Sequence, residues 1–196
     1  MPKTFEPLQI LKLSEQNTYT HPPLGPELVY ITDPAVDVII NFSHVKPLIT
    51  TPTHTIDQAN VDMKFSGTHI MLVVEDETVV GVVSSEDILG EKPMHIAQER
   101  RIRRDEILVS AVMTPQHELM AIDYKDVKYA KVGHLLTTLT ENKQHYALIV
   151  DTEENSTMQT VHGLVYIYDI IKRLDNDLPT ELKEARSLLE LQKKLR

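Results

Sequence analysis

One succession of hydrophobic periods can be read along the first half of the chain. Residues 48–51 are a short apolar strand signal, ended by Pro52 and Thr53. Thr55 stands where a helix N-cap belongs, Asp57 falls in the first turn, and the helix runs to about Phe65. Gly67 is placed to close it. Residues 70–74 and 79–83 are β-branched apolar runs split by Glu75-Asp-Glu-Thr78, the pattern of a hairpin with a four-residue loop. Neither run alternates with polar residues, so the sheet they build should be covered on both faces. Ser84 then opens a second helix reaching about Gly90. The pattern predicts a β-α-β-β-α unit in an α+β fold.

The unit returns downstream. Gly81-Val-Val-Ser-Ser-Glu-Asp87-Ile-Leu overlays Gly163-Leu-Val-Tyr-Ile-Tyr-Asp169-Ile-Ile, and His69-Ile-Met-Leu-Val-Val-Glu75 overlays His145-Tyr-Ala-Leu-Ile-Val-Asp151. Further upstream, Phe42-Ser43 with Leu48-Ile49 overlays Met113-Thr114 with Leu119-Met120. The offset grows from 71 to 76 to 82, which places five extra residues in the second copy's helix region and six in its hairpin loop, 151–162. Insertions are tolerated in such places. The chain thus divides into an N-terminal arm (1–34) holding six of the eleven prolines, a first repeat (35–90) and a charged connector (91–106). A second repeat (107–174) and a C-terminal amphipathic helix (175–196) follow, the helix striped with Leu182, Leu188, Leu189 and Leu195 for packing on the body or on a partner.

Composition narrows the function. With 41% hydrophobic and 25% charged residues in 196, the chain has globular proportions. Cysteine is absent, which removes disulfides, thiolate nucleophiles and cysteine-bound metals and fits a cytoplasmic location. A net charge of −9 argues against a nucleic-acid partner. No apolar run approaches the roughly 20 residues that span a bilayer, so no membrane role is expected. Glu6 and the prolines of the arm argue against a secretory leader. Arg100, Arg101, Arg103 and Arg104 run against the acidic trend and fit either a small anion or a solvated helix face beside Glu99, Asp105 and Glu106. His69 and His145 recur at matched positions but lack the spacing of a zinc site, so no metal is expected. No Gly-rich phosphate loop or nucleophile elbow is present, and no catalytic role is expected.

A duplicated unit whose second helix opens with Gly-h-h-Ser-x-x-Asp-h-h (h apolar) resembles the CBS domain, named after cystathionine β-synthase. Val109-Ser-Ala-Val-Met-Thr-Pro115 is similar to that family's lead-in, with Val38-Ile-Ile-Asn-Phe-Ser43 as a weaker counterpart. The resemblance implies a tandem pair packed as one pseudo-twofold module, paired again as a homodimer. It also implies a regulatory role, energy sensing among the possibilities. The implied ligand is an adenosyl small molecule (AMP, ADP, ATP or S-adenosylmethionine) bound between the repeats, with the signal passed within the dimer or to a protein partner. The alternative is an interaction scaffold of the same fold with no functional nucleotide site.

By that resemblance Asp87 holds the ribose hydroxyls, Ser84 meets ribose or phosphate, and Thr51, Ile70 and Met71 line the purine pocket. Asp169 and Tyr146 are the matching positions of the second copy. Arg101, Arg103 and Arg104 stand where nucleotide phosphates would reach. The residues also carry simpler readings. Ser84 and Asp87 have the spacing of a capping box, and Ile70 and Met71 suit a sheet core. Tyr166 replaces the Ser of the first copy, and its ring either fills the ribose space or stacks on a base. The expectation is one competent site at Asp87 and an altered or closed one at Asp169.

Overall fold

A computed structural model describes residues 28–152 and 158–174. Most of the arm, part of the second hairpin loop and the helix expected at 175–196 lie outside the described residues. The first repeat contains β1 (Ile40–Asn41), β2 (Ile49–Thr50), α1 (Ile56–Ser66), β3 (Ile70–Glu75), β4 (Thr78–Ser84) and α2 (Ser85–Leu89). The connector holds α3 (Lys92–Arg100). The second repeat has α4 (Val109–Val112), β5 (Thr114–Pro115), β6 (Ala121–Asp123), α5 (Tyr124–Tyr129) and α6 (Val132–Glu141). It ends with β7 (Tyr146–Thr152), β8 (Gln159–Tyr166) and α7 (Ile167–Arg173).

Local chemistry explains the boundaries. At α1, the Thr55 hydroxyl accepts the Gln58 N–H at 3.3 Å and the Gln58 side chain accepts the Thr55 N–H at 2.9 Å, a reciprocal cap. Gly67 ends the helix at φ +66°, a left-handed conformation that an L side chain resists. The first hairpin departs from the expected four-residue loop. Glu75 and Thr78 pair across the strands, leaving a two-residue turn at Asp76 and Glu77 with φ of +46° and +62°. Positive φ at both positions matches the twist of the flanking strands, so pairing extends to the tip. The extra residues in the second copy's helix region accompany α5, which has no counterpart between β2 and α1.

Two four-stranded sheets form, ordered β2-β3-β4-β5 and β6-β7-β8-β1. Their outer strands are exchanged. β5, in the lead-in to the second repeat, pairs with β4, while β1, in the lead-in to the first, pairs with β8. The sheets therefore cross the boundaries of the sequence repeats. Glycine is needed where the exchanged strands cross: a Cβ on Gly81 would lie 2.7 Å from the Thr114 carbonyl, and one on Gly163 would lie 2.6 Å from the Ile40 carbonyl. This gives the Gly of the repeated motif a physical reason.

Alternation along the strands then sorts the core. Met71, Val73 and Val83 pack under the helices of the first sheet with Ile56, Met63 and Ile88. Ala147, Ile149 and Val165 do the same in the second with Leu135, Leu139 and Ile170. The residues between them, Ile70, Leu72 and Val82 on one sheet and Leu148, Leu164 and Tyr166 on the other, meet in a third cluster between the sheets. Both faces are covered, as the unbroken apolar runs require. Described residues of the arm join the second repeat: the Val29 N–H donates to the Arg173 carbonyl at 2.7 Å, and Val29 is fully buried in that core, as is Ala35 at the start of the first repeat.

Candidate ligand site

Two clefts open where the repeats meet, related by the internal pseudosymmetry. Each takes its carboxylate from one repeat and its strand entrance from the other. The larger, about 640 Å³, joins Phe42, Leu48, Ile49, Ile70 and Met71 of the first repeat to Leu164, Asp169 and Lys172 of the second, with Lys46 and His69 at its wall. The smaller, about 240 Å³, joins Ser84, Glu86 and Asp87 of the first repeat to Thr114, Lys143, His145 and Tyr146 of the second. The residues gathered by motif are thereby divided. Ile70 and Met71 stand with Asp169, and Asp87 stands with Ser84 and Tyr146.

In the small cleft the capping reading of Ser84 and Asp87 is met in full. Asp87 Oδ2 accepts the Ser84 N–H at 2.9 Å and the Ser84 hydroxyl at 2.7 Å, while the Asp87 N–H donates back to Ser84 Oγ at 3.2 Å. Lys92 Nζ lies 3.9 Å from Asp87 Oδ1. Ser84 is buried. Ser84→Ala should lower stability by about 1 kcal/mol, the usual worth of such a cap, in chemical denaturation. An unchanged midpoint would show that α2 does not need it. Tyr146 closes the other side. Burial pushes its phenol up to about 12, against a hydrogen bond with Thr114 that works the other way. It stays neutral and can donate.

The large cleft combines apolar walls with charged side chains. Its apolar walls suit a base, and the Asp169 carboxylate can accept hydrogen bonds from a diol. Lys46 and Lys172 supply positive charge. Lys172 Nζ lies 3.4 Å from Asp169 Oδ1, one turn along α7. A volume of about 640 Å³ falls within the roughly 300–1,000 Å³ typical of small-molecule sites, and about 240 Å³ falls short of it.

The remaining candidates line neither cleft. Tyr166, 3% exposed, fills the inter-sheet core, edge-on to Tyr168 with ring centroids 5.0 Å apart, and burial raises its phenol above the usual range. It caps no helix. Thr51 turns its hydroxyl to Thr53 at 3.1 Å. Arg104 is a strut: it pairs with Asp57 in the first turn of α1 and donates to the Ile88 carbonyl at 2.9 Å. Arg103 pairs with Asp105 at 2.6 Å, and Arg101 ends α3 in the left-handed region at φ +52°. Lys46, Lys172 and Glu86 escaped the sequence reading. Lys172, three residues after Asp169, was the one with a visible signal.

The fold and the composite clefts define a tandem α+β module of two interlocked repeats. Residues 37–93 match the family model described as the CBS domain. No curated protein matches the sequence. Among solved structures, the chain resembles a protein of Pyrococcus horikoshii at 20% identity and a TM-score of 0.51, covering 72% of this chain and 92% of that one. It also resembles CBSX2 of Arabidopsis thaliana in complex with AMP, at 16% identity and a TM-score of 0.48, covering 71% and 94%. A third is the CBS domain of a bacterial CNNM/CorC family Mg2+ transporter in complex with ATP, at 18% identity and a TM-score of 0.48, covering 73% and 87%. At 20% identity the likeness to the first is one of fold. Among the described residues, no helix is long and apolar enough to cross a membrane, and no cluster of three acidic or histidine side chains is arranged for a metal ion.

Proposed function

We propose that the chain is a regulatory module that binds an adenosyl ligand, of the AMP, ADP, ATP or S-adenosylmethionine class, in the large cleft. The supporting observation is one space that brings together apolar walls, the Asp169 carboxylate and two lysines. In this reading the base lies against Ile49, Ile70 and Leu164, the ribose diol meets Asp169, and Lys46 and Lys172 face the phosphates. The Ser84–Asp87 cleft is a second, smaller subsite. Occupancy matters for regulation only if the ligand favours one of two conformations, so the signal is passed through a homodimer or a protein partner. Val61 and Phe65 sit one turn apart on α1, 63% and 94% exposed, and offer an apolar contact for either.

Calorimetry with AMP, ADP, ATP and S-adenosylmethionine tests this reading. At least one should bind and raise the melting temperature. Sedimentation of the same samples then reports whether the assembly changes. Silence from all four, with an unchanged melting temperature, would leave the scaffold reading, for which the exposed Val61–Phe65 patch speaks.

A further inference from the structure

Glu86 joins the two repeats beside both clefts. It lies in the first turn of α2, one residue before Asp87. Its Oε2 is 2.9 Å from His145 Nδ1, at the entrance to β7, and its Oε1 accepts the Tyr168 hydroxyl at 2.8 Å, in the first turn of α7. The His145 and Tyr168 rings pack with centroids 5.3 Å apart. His145 lines the small cleft, and Tyr168 immediately precedes Asp169, which lines the large one. A single carboxylate thus connects a titratable wall of one cleft to the helical turn that carries the acid of the other.

We infer that the His145–Glu86–Tyr168 bridge couples protonation of His145 to ligand affinity in the large cleft, by holding the first turn of α7 where Asp169 meets the ligand. The affinity side of this inference rests on the adenosyl reading above. An imidazolium attracts Glu86, and Glu86 anchors the Tyr168 hydroxyl, so loss of the proton weakens the bridge. The charged groups that line the small cleft with His145 are Glu86 and Asp87 on α2, Glu91 just after it, Lys92 on α3 and Lys143 on its own loop. Tyr146 and Tyr168 face it as neutral phenols, because burial raises both. Of the charged groups, the Glu86 and Asp87 carboxylates favour the imidazolium. The Glu86 hydrogen bond accordingly holds His145 above its usual value, against the opposing effect of burial. The sign follows: the bridge contributes fully below the ordinary histidine pKa, and its contribution is lost as pH rises through the raised folded value. By reciprocity, a ligand that prefers the anchored α7 raises the His145 pKa in turn.

Adenosine is the probe, because none of its groups titrates near neutrality. Its affinity should fall about fivefold from about pH 6 to about pH 8.5. Glu86→Gln and His145→Gln should each remove that slope, and His69→Gln, which alters a histidine of the large cleft itself, should retain it. A slope lost in His69→Gln and kept in His145→Gln would overturn the inference. A second measurement needs no ligand. In NMR titrations the Tyr168 and Asp169 amides should follow the His145 ring, and the Asp169 amide should stop doing so in Tyr168→Phe. Amides of α7 that ignore the His145 titration overturn the bridge outright. If they follow it and adenosine binds at no pH, the adenosyl reading falls, together with the affinity side of this one.

Discussion

Asp169→Asn should weaken AMP binding about 10- to 100-fold, as read by calorimetry at constant pH and salt. The carboxylate can accept a hydrogen bond from each ribose hydroxyl, one per oxygen. The amide keeps the shape but retains one acceptor and presents N–H donors to a donor. It also replaces charge-assisted bonds, worth about 1.5–3 kcal/mol each, with neutral ones. The Asp169 side chain is 38% exposed, which moves the expectation toward the lower end of the range. Lys172 then loses its acidic neighbour, so part of the phosphate attraction survives in the variant. The companion variant Asp87→Asn locates the ligand. Loss of binding in Asp87→Asn with none in Asp169→Asn would place AMP in the small cleft and reject the assignment made from volume and wall chemistry.

Val82→Asp should be the most damaging single change to the fold. Val82 is fully buried and belongs to the cluster between the sheets, where its surroundings include Leu148, Leu164 and Tyr166. An aspartate there has no counter-charge within the cluster. An uncompensated buried charge costs about 3–5 kcal/mol, against a total stability of about 5–15 kcal/mol for an ordinary domain. The thermal midpoint should drop by about 10 °C or more, or the native state should be lost. Val82→Ala removes volume without adding charge and should cost about 1–3 kcal/mol. A midpoint for Val82→Asp within about 2 °C of the parent would mean that water reaches the space between the sheets.

The repeat was legible because duplication leaves the same residues at matched places. The paired β-bulges at Val73/Val74 and Ile149/Val150 show how closely the two copies keep one geometry. The unbroken runs at 70–74 and 79–83 likewise announced strands buried on both faces. The exchange of β1 and β5 was not legible, because two-residue strands carry no period. That omission decided the site. A linear motif groups Asp87 with Ile70 and Met71 since they are near in sequence, whereas each cleft draws on both repeats. Tyr166 shows the same limit on a smaller scale. The missing cap hydroxyl was visible in the sequence, but the ring's destination between the sheets depends on strand register, which pairs Tyr166 with Tyr146. Arg104 was visible as charge, and its use as a strut between α1 and α2 depends on a connector path that composition does not encode.

The exchanged strands also govern how the chain must be put together in time. As the polypeptide emerges in order, β1 has no partner until β8 is made, because Ile40 pairs with Leu164 and Asn41 with Gly163. The first sheet stays one strand short until Thr114 and Pro115 arrive. Closures of this span raise contact order and slow folding, and they keep open sheet edges exposed in the meantime. Two copies that look divisible on paper are therefore a single folding unit. A cut in the connector would leave each half carrying a strand that belongs to the other.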